Sequence, residues 1–177
     1  MKLHIGGETL REGWKVLKRE GWKVLSIQKN DDVDFVGDLT DLSQFSENSV
    51  ETVYASHVLE HVDQKKVKET LLGVNRILKK GGKFYISVPD MDILCRMFID
   101  KKTNGKVKFH AMRMMFGGQI DKYDFHYFGW NYEFLYVFLK ESNFEKVERV
   151  DSFGLFEDTS NYKPYGVLIS LNVIAYK

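Results

Sequence analysis

The sequence has little of what holds small secreted or metal-clamped proteins together. Its single cysteine, Cys95, cannot form a disulfide within the chain or supply a cysteine-rich zinc site. Two prolines and fourteen glycines among 177 residues exclude a collagen-like or low-complexity chain. The sequence also has almost no net charge: 26 lysines and arginines stand against 25 aspartates and glutamates, which gives a formal charge of +1. We therefore expect no nucleic-acid partner and no basic membrane-binding surface.

Long hydrophobic runs are equally scarce. The opening residues MKLHIGGETLREGW reach glycine and charge before the apolar core of a signal peptide could form. The run 134–139 falls far short of the ~20 residues of a membrane helix. We therefore expect no membrane span and a cytoplasmic protein. Hydrophobic residues still make up 44% of the sequence, which suffices for one core, so we expect a single domain over 1–177.

The hydrophobic periodicity predicts alternating strands and helices. Strands are predicted at 3–5, 22–27, 33–36, 50–55, 83–88, 146–150 and 170–175, and helices at 9–20, 67–78, 91–98, 105–115 and 132–139. Lys79 and Lys80 are expected to close the second helix, and Asn131 to cap the last. Such alternation predicts a doubly wound α/β fold, in which ligands bind at the carboxyl ends of the parallel strands.

A short tandem repeat stands between the first two predicted strands. The hexamer EGWKVL occurs at 12–17 and again at 20–25. Two copies are too few for a solenoid. We interpret them as a local duplication in which one copy is helical and the other a strand, with a loop as the alternative for one of them.

Residues that follow strands are the first candidates for a binding site. Gly6 and Gly7 lie between a strand and a predicted helix, where a backbone can approach a nucleotide, although a pair of glycines after a strand is more often a plain turn. Asp38 can bind a ribose hydroxyl or an amine, or simply cap a turn. Neither GxGxxG nor GxxxxGK[ST] occurs in the sequence.

Two further clusters carry polar chemistry. The segment SHVLEH places His57, Glu60 and His61 in the order H-x-x-E-H, an inverted zinc-protease pattern that needs a further distal ligand; we predict no metal ligand here. Between Gly117 and Asn131 the chain concentrates acidic, imidazole and aromatic side chains. There His126 could act as a general base oriented by Asp124, or pack as an ordinary histidine under an aromatic lid.

Several segments together resemble one enzyme family. KLHIGG, DFVGDLTDLSQF, VYASHVLEH, RILKKGGKFYISVPD and SLNVIA are similar, in this order, to the compact class I S-adenosylmethionine-dependent methyltransferases. The segment GGQIDKYDFH further resembles predicted bacterial methyltransferases linked with surface-polysaccharide biosynthesis. The resemblance implies a Rossmann-like, three-layer fold with a seven-stranded, mostly parallel sheet whose last strand is antiparallel.

The resemblance also implies roles for individual residues. It assigns S-adenosylmethionine as the cofactor and places the cofactor contacts at Gly6, Gly7, Gln28, Asp38, Leu39, Ser56 and His57. Two departures stand out: the first loop reads H-I-G-G-E, and Gln28 replaces the acid that usually binds the ribose.

The resulting hypothesis is methyl transfer from S-adenosylmethionine to a small-molecule or saccharide acceptor. Residues 91–131 would form the acceptor-side insertion, or lid, and the pair His126 and Asp124 would remove the acceptor's proton. Because the duplication lies beside the first loop, the alternative is a catalytically degenerate relative that binds a partner protein. An NAD-linked oxidoreductase ranks third because GxGxxG is missing.

Overall fold

The computed structural model describes residues 1–6 and 21–177. The helix predicted at 9–20, Gly7 and the first EGWKVL copy lie outside these residues. The second copy supplies most of a strand, β2 (Trp22–Ser26). The prediction that this copy is extended is therefore confirmed.

One seven-stranded sheet organises the described residues, in the order β3-β2-β1-β4-β5-β7-β6. β1 to β5 run parallel, and β7 pairs antiparallel with both β5 and β6. The strands are β1 (Lys2–Ile5), β2, β3 (Phe35–Val36), β4 (Val50–Ser56), β5 (Leu78–Pro89), β6 (Lys146–Val150) and β7 (Ser170–Tyr176). This order confirms the predicted fold class, including the antiparallel last strand.

Within residues 1–6 and 21–177, four α-helices and three short 3₁₀ turns connect the strands. They are α1 (Val67–Ile77), α2 (Met91–Ile99), α3 (Gly105–Phe116) and α4 (Tyr132–Glu141), with η1 (Leu59–His61), η2 (Thr159–Asn161) and η3 (Pro164–Gly166). The predicted cap of α4 is confirmed: Asn131 Oδ1 accepts the Phe134 N–H at 2.9 Å. None of the described helices is long and apolar enough to cross a membrane.

The end of α1 differs from the prediction. The helix ends at Ile77, and β5 already begins at Leu78, which pairs with Val50 of β4. Lys79 and Lys80 therefore belong to the strand, and their predicted place in the last turn is wrong. The cation at this helix end is Lys177, whose Nζ donates to the carbonyls of Asn75 and Leu78 at 2.7 and 2.8 Å. The side chain that follows β7 thus supplies the positive charge that a helix C-terminus attracts.

The two faces of the sheet differ in chemistry because successive strand residues point to opposite sides. One side, here called the aliphatic face, packs against α1 and α4 in one continuous core. Its buried strand residues are all apolar: Leu3, Ile5, Leu25, Val53, Ala55, Phe84, Ile86, Val88, Leu171, Val173 and Ala175.

The other side, here called the polar face, carries His4, Trp22, Tyr54, Ser87 and Asn172. Among the described residues, the segment 151–161 covers it with side chains and backbone. Tyr54 Oη donates to Asp158 Oδ2 at 2.7 Å. Asn172 Nδ2 donates to the carbonyls of Asp151 and Ser160, both at 3.0 Å. The Phe156 ring packs against those of His4, Tyr54 and Trp22. Hydrogen bonds and ring contacts hold this side together.

Candidate active site

The carboxyl ends of β1 to β4 meet at one edge of the sheet because these strands are parallel. Gly6 follows β1, Gln28 lies two residues beyond β2, Asp38 two beyond β3, and Ser56 ends β4. The structure thus brings these predicted cofactor-binding residues to a common edge.

Gly6 has a conformation that only glycine adopts readily. Its φ is +74°, and a Cβ at this position would lie 2.7 Å from Cγ2 of Val58. Its N–H donates to the Leu25 carbonyl at 2.9 Å, which ties the turn after β1 to β2. The backbone therefore stays bare at the point where the first loop begins.

The residues beyond β2 and β3 have mainly local contacts. The backbone N–H of Gln28, which is exposed, donates to Ser26 Oγ at 3.2 Å. Asp38 Oδ1 accepts the Thr40 N–H at 2.8 Å, so its carboxylate does cap a turn, the alternative that its sequence context left open. Leu39 is buried in the aliphatic core. At this position the structure shows a packing role.

His57 follows β4 in a strained left-handed conformation, with φ of +53°. Its N–H donates to the Ser87 carbonyl at 2.8 Å, and its Nε2 lies 2.8 Å from Ser170 Oγ. The Ser170 hydroxyl donates its own proton to the Thr159 carbonyl. Nε2 of His57 therefore carries the proton of the Ser170 contact, and Nδ1 faces Glu60 Oε1 at 3.4 Å.

Glu60 belongs to the H-x-x-E-H segment, whose sequence indicates no role for it. Only 1% of it is exposed, and burial raises the pKa of its carboxyl to about 8. Across the described ranges, neither carboxyl oxygen has a hydrogen-bond partner. Glu60 lies in the segment LEH of η1, which apolar residues flank. A charged residue in such a segment is the sequence signal that could have identified Glu60 as a site residue.

His61 and His126 meet edge to face beside this glutamate, with ring centroids 4.8 Å apart. His61 Nδ1 donates to the Phe125 carbonyl at 3.0 Å, and burial lowers the pKa of His61. Burial, followed by the nearby His61, lowers the pKa of His126 to about 4. Both rings are therefore neutral at pH 7.

The predicted pair of His126 and Asp124 is close, but no hydrogen bond joins the two side chains among the residues described. Asp124 acts on His126 through its charge, which raises the pKa of the histidine. Its Oδ2 instead accepts the Ile120 N–H at 3.4 Å, and its carbonyl accepts that of Gln119 at 3.0 Å. Gly117, with φ of +84°, lies so close to this carbonyl that a Cβ would collide with it.

The segment 117–131 is fastened to η1 through the backbone. The Glu60 carbonyl accepts the N–H groups of Tyr127 and Phe128 at 2.8 and 3.2 Å. The Phe128 ring stacks on that of Trp130, 4.0 Å between centroids, and Trp130 is fully buried. The segment that carries His126 thus has a fixed position over the turn after β4.

The two histidines of the H-x-x-E-H segment, His57 and His61, do not lie on one face of a helix. His57 precedes η1 in its left-handed conformation, whereas His61 ends that turn. The residues that come together are Glu60, His61 and the distant His126, whose ligand atoms all lie within 4.8 Å of one another.

The chain matches the methyltransferase domain family Methyltransf_11 over residues 23–86, which run from β2 into β5. A search of the curated proteins finds no match to the sequence.

Solved structures share the fold at low identity. A SAM-dependent methyltransferase of Archaeoglobus fulgidus has a TM-score of 0.58 at 20% identity, and the match covers 99% of this chain and 85% of that one. The complex of the Haloferax volcanii methyltransferase activator Trm112 with a methyltransferase gives 0.60 at 17%, covering 99% and 81%. The 1,6-didemethyltoxoflavin-N1-methyltransferase of Burkholderia thailandensis, solved with S-adenosylhomocysteine, gives 0.59 at 17%, covering 99% and 70%.

The family match and the observed fold confirm the resemblance to class I S-adenosylmethionine-dependent methyltransferases. They support an enzyme whose cofactor is S-adenosylmethionine, as the sequence predicts.

Proposed function

We propose that this protein methylates a hydroxyl of a small-molecule acceptor, of the saccharide class, between η1 and the segment 117–131. The observation that carries the proposal is the position of His126: the backbone bonds of its segment to Glu60 hold a neutral imidazole beside the turn after β4. Residues 91–131 serve as the acceptor-side insertion within one domain, 1–177. The resemblance of GGQIDKYDFH supports an acceptor from cytoplasmic surface-polysaccharide biosynthesis.

The carboxyl edge of the sheet fits the cofactor. The Cβ-free backbone at Gly6 lies beside the Ser56 and His57 turn, and together these residues would hold the methionine part. Gln28 and Asp38 would face the ribose and adenine, Gln28 by hydrogen bonding without charge. When bound, S-adenosylmethionine supplies an electrophilic methyl group on a sulfonium that is already a good leaving group.

The chain's own residues then have to position the acceptor, exclude water and receive one proton. His126 would accept the proton of the acceptor hydroxyl as its oxygen bonds to the methyl carbon and the carbon–sulfur bond breaks. The charge of Asp124 favours the imidazolium that results. S-adenosylhomocysteine and the methyl ether leave, and the proton passes to solvent.

The first experiment is calorimetric titration and thermal unfolding with S-adenosylmethionine. At a hundred times its dissociation constant the cofactor should stabilise the fold by ~2.7 kcal/mol, with no shift from NAD. Turnover is then measured on a panel of saccharide hydroxyl acceptors. His126→Ala should lower kcat about 10²–10⁴-fold while cofactor affinity stays unchanged. The matched control is His110→Ala, since His110 lies on α3 against Tyr165 Oη. Full turnover of His126→Ala would remove the base assignment.

A second candidate function is a catalytically degenerate methyltransferase fold that acts as a partner of another protein. It is favoured by the Haloferax volcanii structure, which is a complex with an activator protein, and by the duplication next to the cofactor loop. Absence of any thermal shift at millimolar S-adenosylmethionine would select this alternative over the enzyme.

A further inference from the structure

The side chains of Glu60, His61 and His126 form a cluster at the junction of η1 and the segment 117–131. Two of them are adjacent in the chain and the third comes from 65 positions further on, yet the ligand atoms of all three lie within 4.8 Å of one another. The backbone bonds from Tyr127 and Phe128 to the Glu60 carbonyl fix the two parts of this cluster relative to each other. The cluster is therefore built by the tertiary structure.

Glu60 provides the observation that calls for a ligand. The residue is 99% inaccessible, and both carboxyl oxygens lack hydrogen-bond partners within the part of the chain that is described. Its contact with His57 Nδ1, at 3.4 Å, involves Oε1 alone. Burying a carboxyl with its oxygens unsatisfied is costly, and a cation bound to them would offset that cost.

His61 is oriented as a metal ligand would be. A carbonyl oxygen only accepts, so the 3.0 Å contact with the Phe125 carbonyl requires the proton of His61 on Nδ1. The neutral ring then has its lone pair on Nε2. Metal-binding histidines usually donate their other ring N–H to a backbone carbonyl or a carboxylate in this way.

His126 contributes the second imidazole. Its Nδ1 is buried and has no hydrogen-bond partner among the described residues. Its backbone N–H donates to the Phe116 carbonyl at 3.2 Å, which fixes the residue against the end of α3. A ring nitrogen buried beside a carboxylate and a second imidazole is well placed to share an ion with them.

We propose that Glu60, His61 and His126 bind one divalent transition-metal ion of the zinc type, with a fourth position left open. Two imidazoles and one carboxylate are the donor set of many zinc sites that keep a water molecule. Donors ~2.1 Å from a tetrahedral ion lie ~3.4 Å apart, so separations of up to 4.8 Å must close by as much as ~1.4 Å through side-chain rotation. This site departs from the expectation, drawn from H-x-x-E-H, of no metal ligand: its distal ligand is His126, and His57 is not part of it.

Metal binding would occupy the lone pair through which His126 accepts a proton, so the metal-bound form of the protein would lack the base of the proposed methyl transfer. The two proposals are nevertheless tested separately. Metal binding is measured on the protein without S-adenosylmethionine or acceptor, so failure of methyl transfer leaves its result unchanged.

The experiment titrates untagged, chelator-treated protein with Zn²⁺ by calorimetry and with Co²⁺ by visible absorption. We expect one equivalent of Zn²⁺ to bind and Co²⁺ to give the intense bands of a four-coordinate ion. Cys95, which is exposed, is replaced by serine throughout to remove a competing thiol. Glu60→Gln, which keeps the size of the side chain, and His126→Ala should each weaken binding at least tenfold, whereas His110→Ala should not.

Two results would overturn the proposal. One is the absence of stoichiometric binding to the parent protein. The other is binding that is unchanged in both Glu60→Gln and His126→Ala, which would show an adventitious ion only. Thermal unfolding of each variant without metal confirms that it is folded, and His61→Asn offers a third variant if either one is not.

Discussion

The two faces of the central sheet are built on different principles although they share every strand. The aliphatic face meets α1 and α4 through side chains with no polar atoms, from Leu3 in β1 to Val173 in β7. The polar face meets the segment 151–161 through the bonds of Tyr54 and Asn172 and through packed rings. Burial of apolar side chains, which needs no particular orientation, therefore stabilises the aliphatic face. Hydrogen bonds and ring contacts of defined geometry stabilise the polar face.

This difference has a consequence for how each face tolerates change. On the aliphatic face, the loss of stability scales with the side-chain volume that a substitution removes. On the polar face, a hydrogen bond is lost as soon as one of its two partners is missing. Single substitutions on the two faces should therefore differ in how stability is lost.

Phe84→Ala should destabilise the protein most. Phe84 is fully buried on the aliphatic face of β5, and its ring lies 6.2 Å from that of Phe144. Removing a buried phenyl group costs ~3–5 kcal/mol through lost burial and the cavity left behind. The measurement is chemical denaturation at pH 7.

The adjacent Tyr85 is the control, because it points to the polar face and is only partly buried. Tyr85→Ala should cost clearly less than Phe84→Ala. Equal losses would show that the two faces do not differ as described.

Tyr54→Phe should cost about 1–3 kcal/mol although it removes a single oxygen atom. The change leaves Asp158 without the hydroxyl that donates to Oδ2 at 2.7 Å in a buried environment. Tyr165→Phe provides the comparison, since its hydroxyl contacts His110 at an exposed position and should change stability by less than about 0.5 kcal/mol. A negligible effect of Tyr54→Phe would mean that the Tyr54–Asp158 hydrogen bond does not contribute to the stability of the polar face.

His4→Phe should alter the pH dependence of stability more than stability at pH 7. Burial lowers the pKa of His4 from 6.5 to about 4, partly opposed by Asp158. The unfolded chain therefore takes up a proton near pH 6.5 that the folded chain takes up only near pH 4. Stability is present above pH 6.5 and is lost as the pH falls through this window, by at most ~1.4 kcal/mol per pH unit for one proton.

The variant should lose this contribution while retaining that of His126, whose pKa is lowered in the same direction. Unfolding free energies measured from pH 7 to pH 4 test the expectation, with His110→Ala as the reference. Parallel curves for the wild type and His4→Phe would contradict it.

Sequence reasoning predicts the positions of most strands and helices well because their signals are local. Alternating apolar residues in β4 and β5, and the Asn131 cap of α4, can be read within a few positions. The predicted end of α1 was wrong because the cation that binds its last carbonyls, Lys177, lies 100 residues further along the chain. No local pattern reports such a contact.

The candidate site likewise has one part that the sequence predicts and one part that it does not. Parallel strands bring Gly6, Gln28, Asp38 and Ser56 to one edge, as strand order alone implies. The environment of Glu60 could not be predicted in this way. Its burial and its proximity to His126 depend on how the segment 117–131 folds back onto η1, and a single sequence encodes that path only through long-range packing.

The place of β7 in the sheet also constrains the sequence of folding events. β6 precedes β7 along the chain but touches the rest of the sheet only through it, because β7 lies between β5 and β6. In this order β6 has no neighbouring strand, and β5 has an unpaired edge, until β7 takes its place between them. The same insertion brings Ser170 to His57 and Asn172 to the segment 151–161. The outer part of the sheet and part of the polar face therefore depend on the pairing of this one strand.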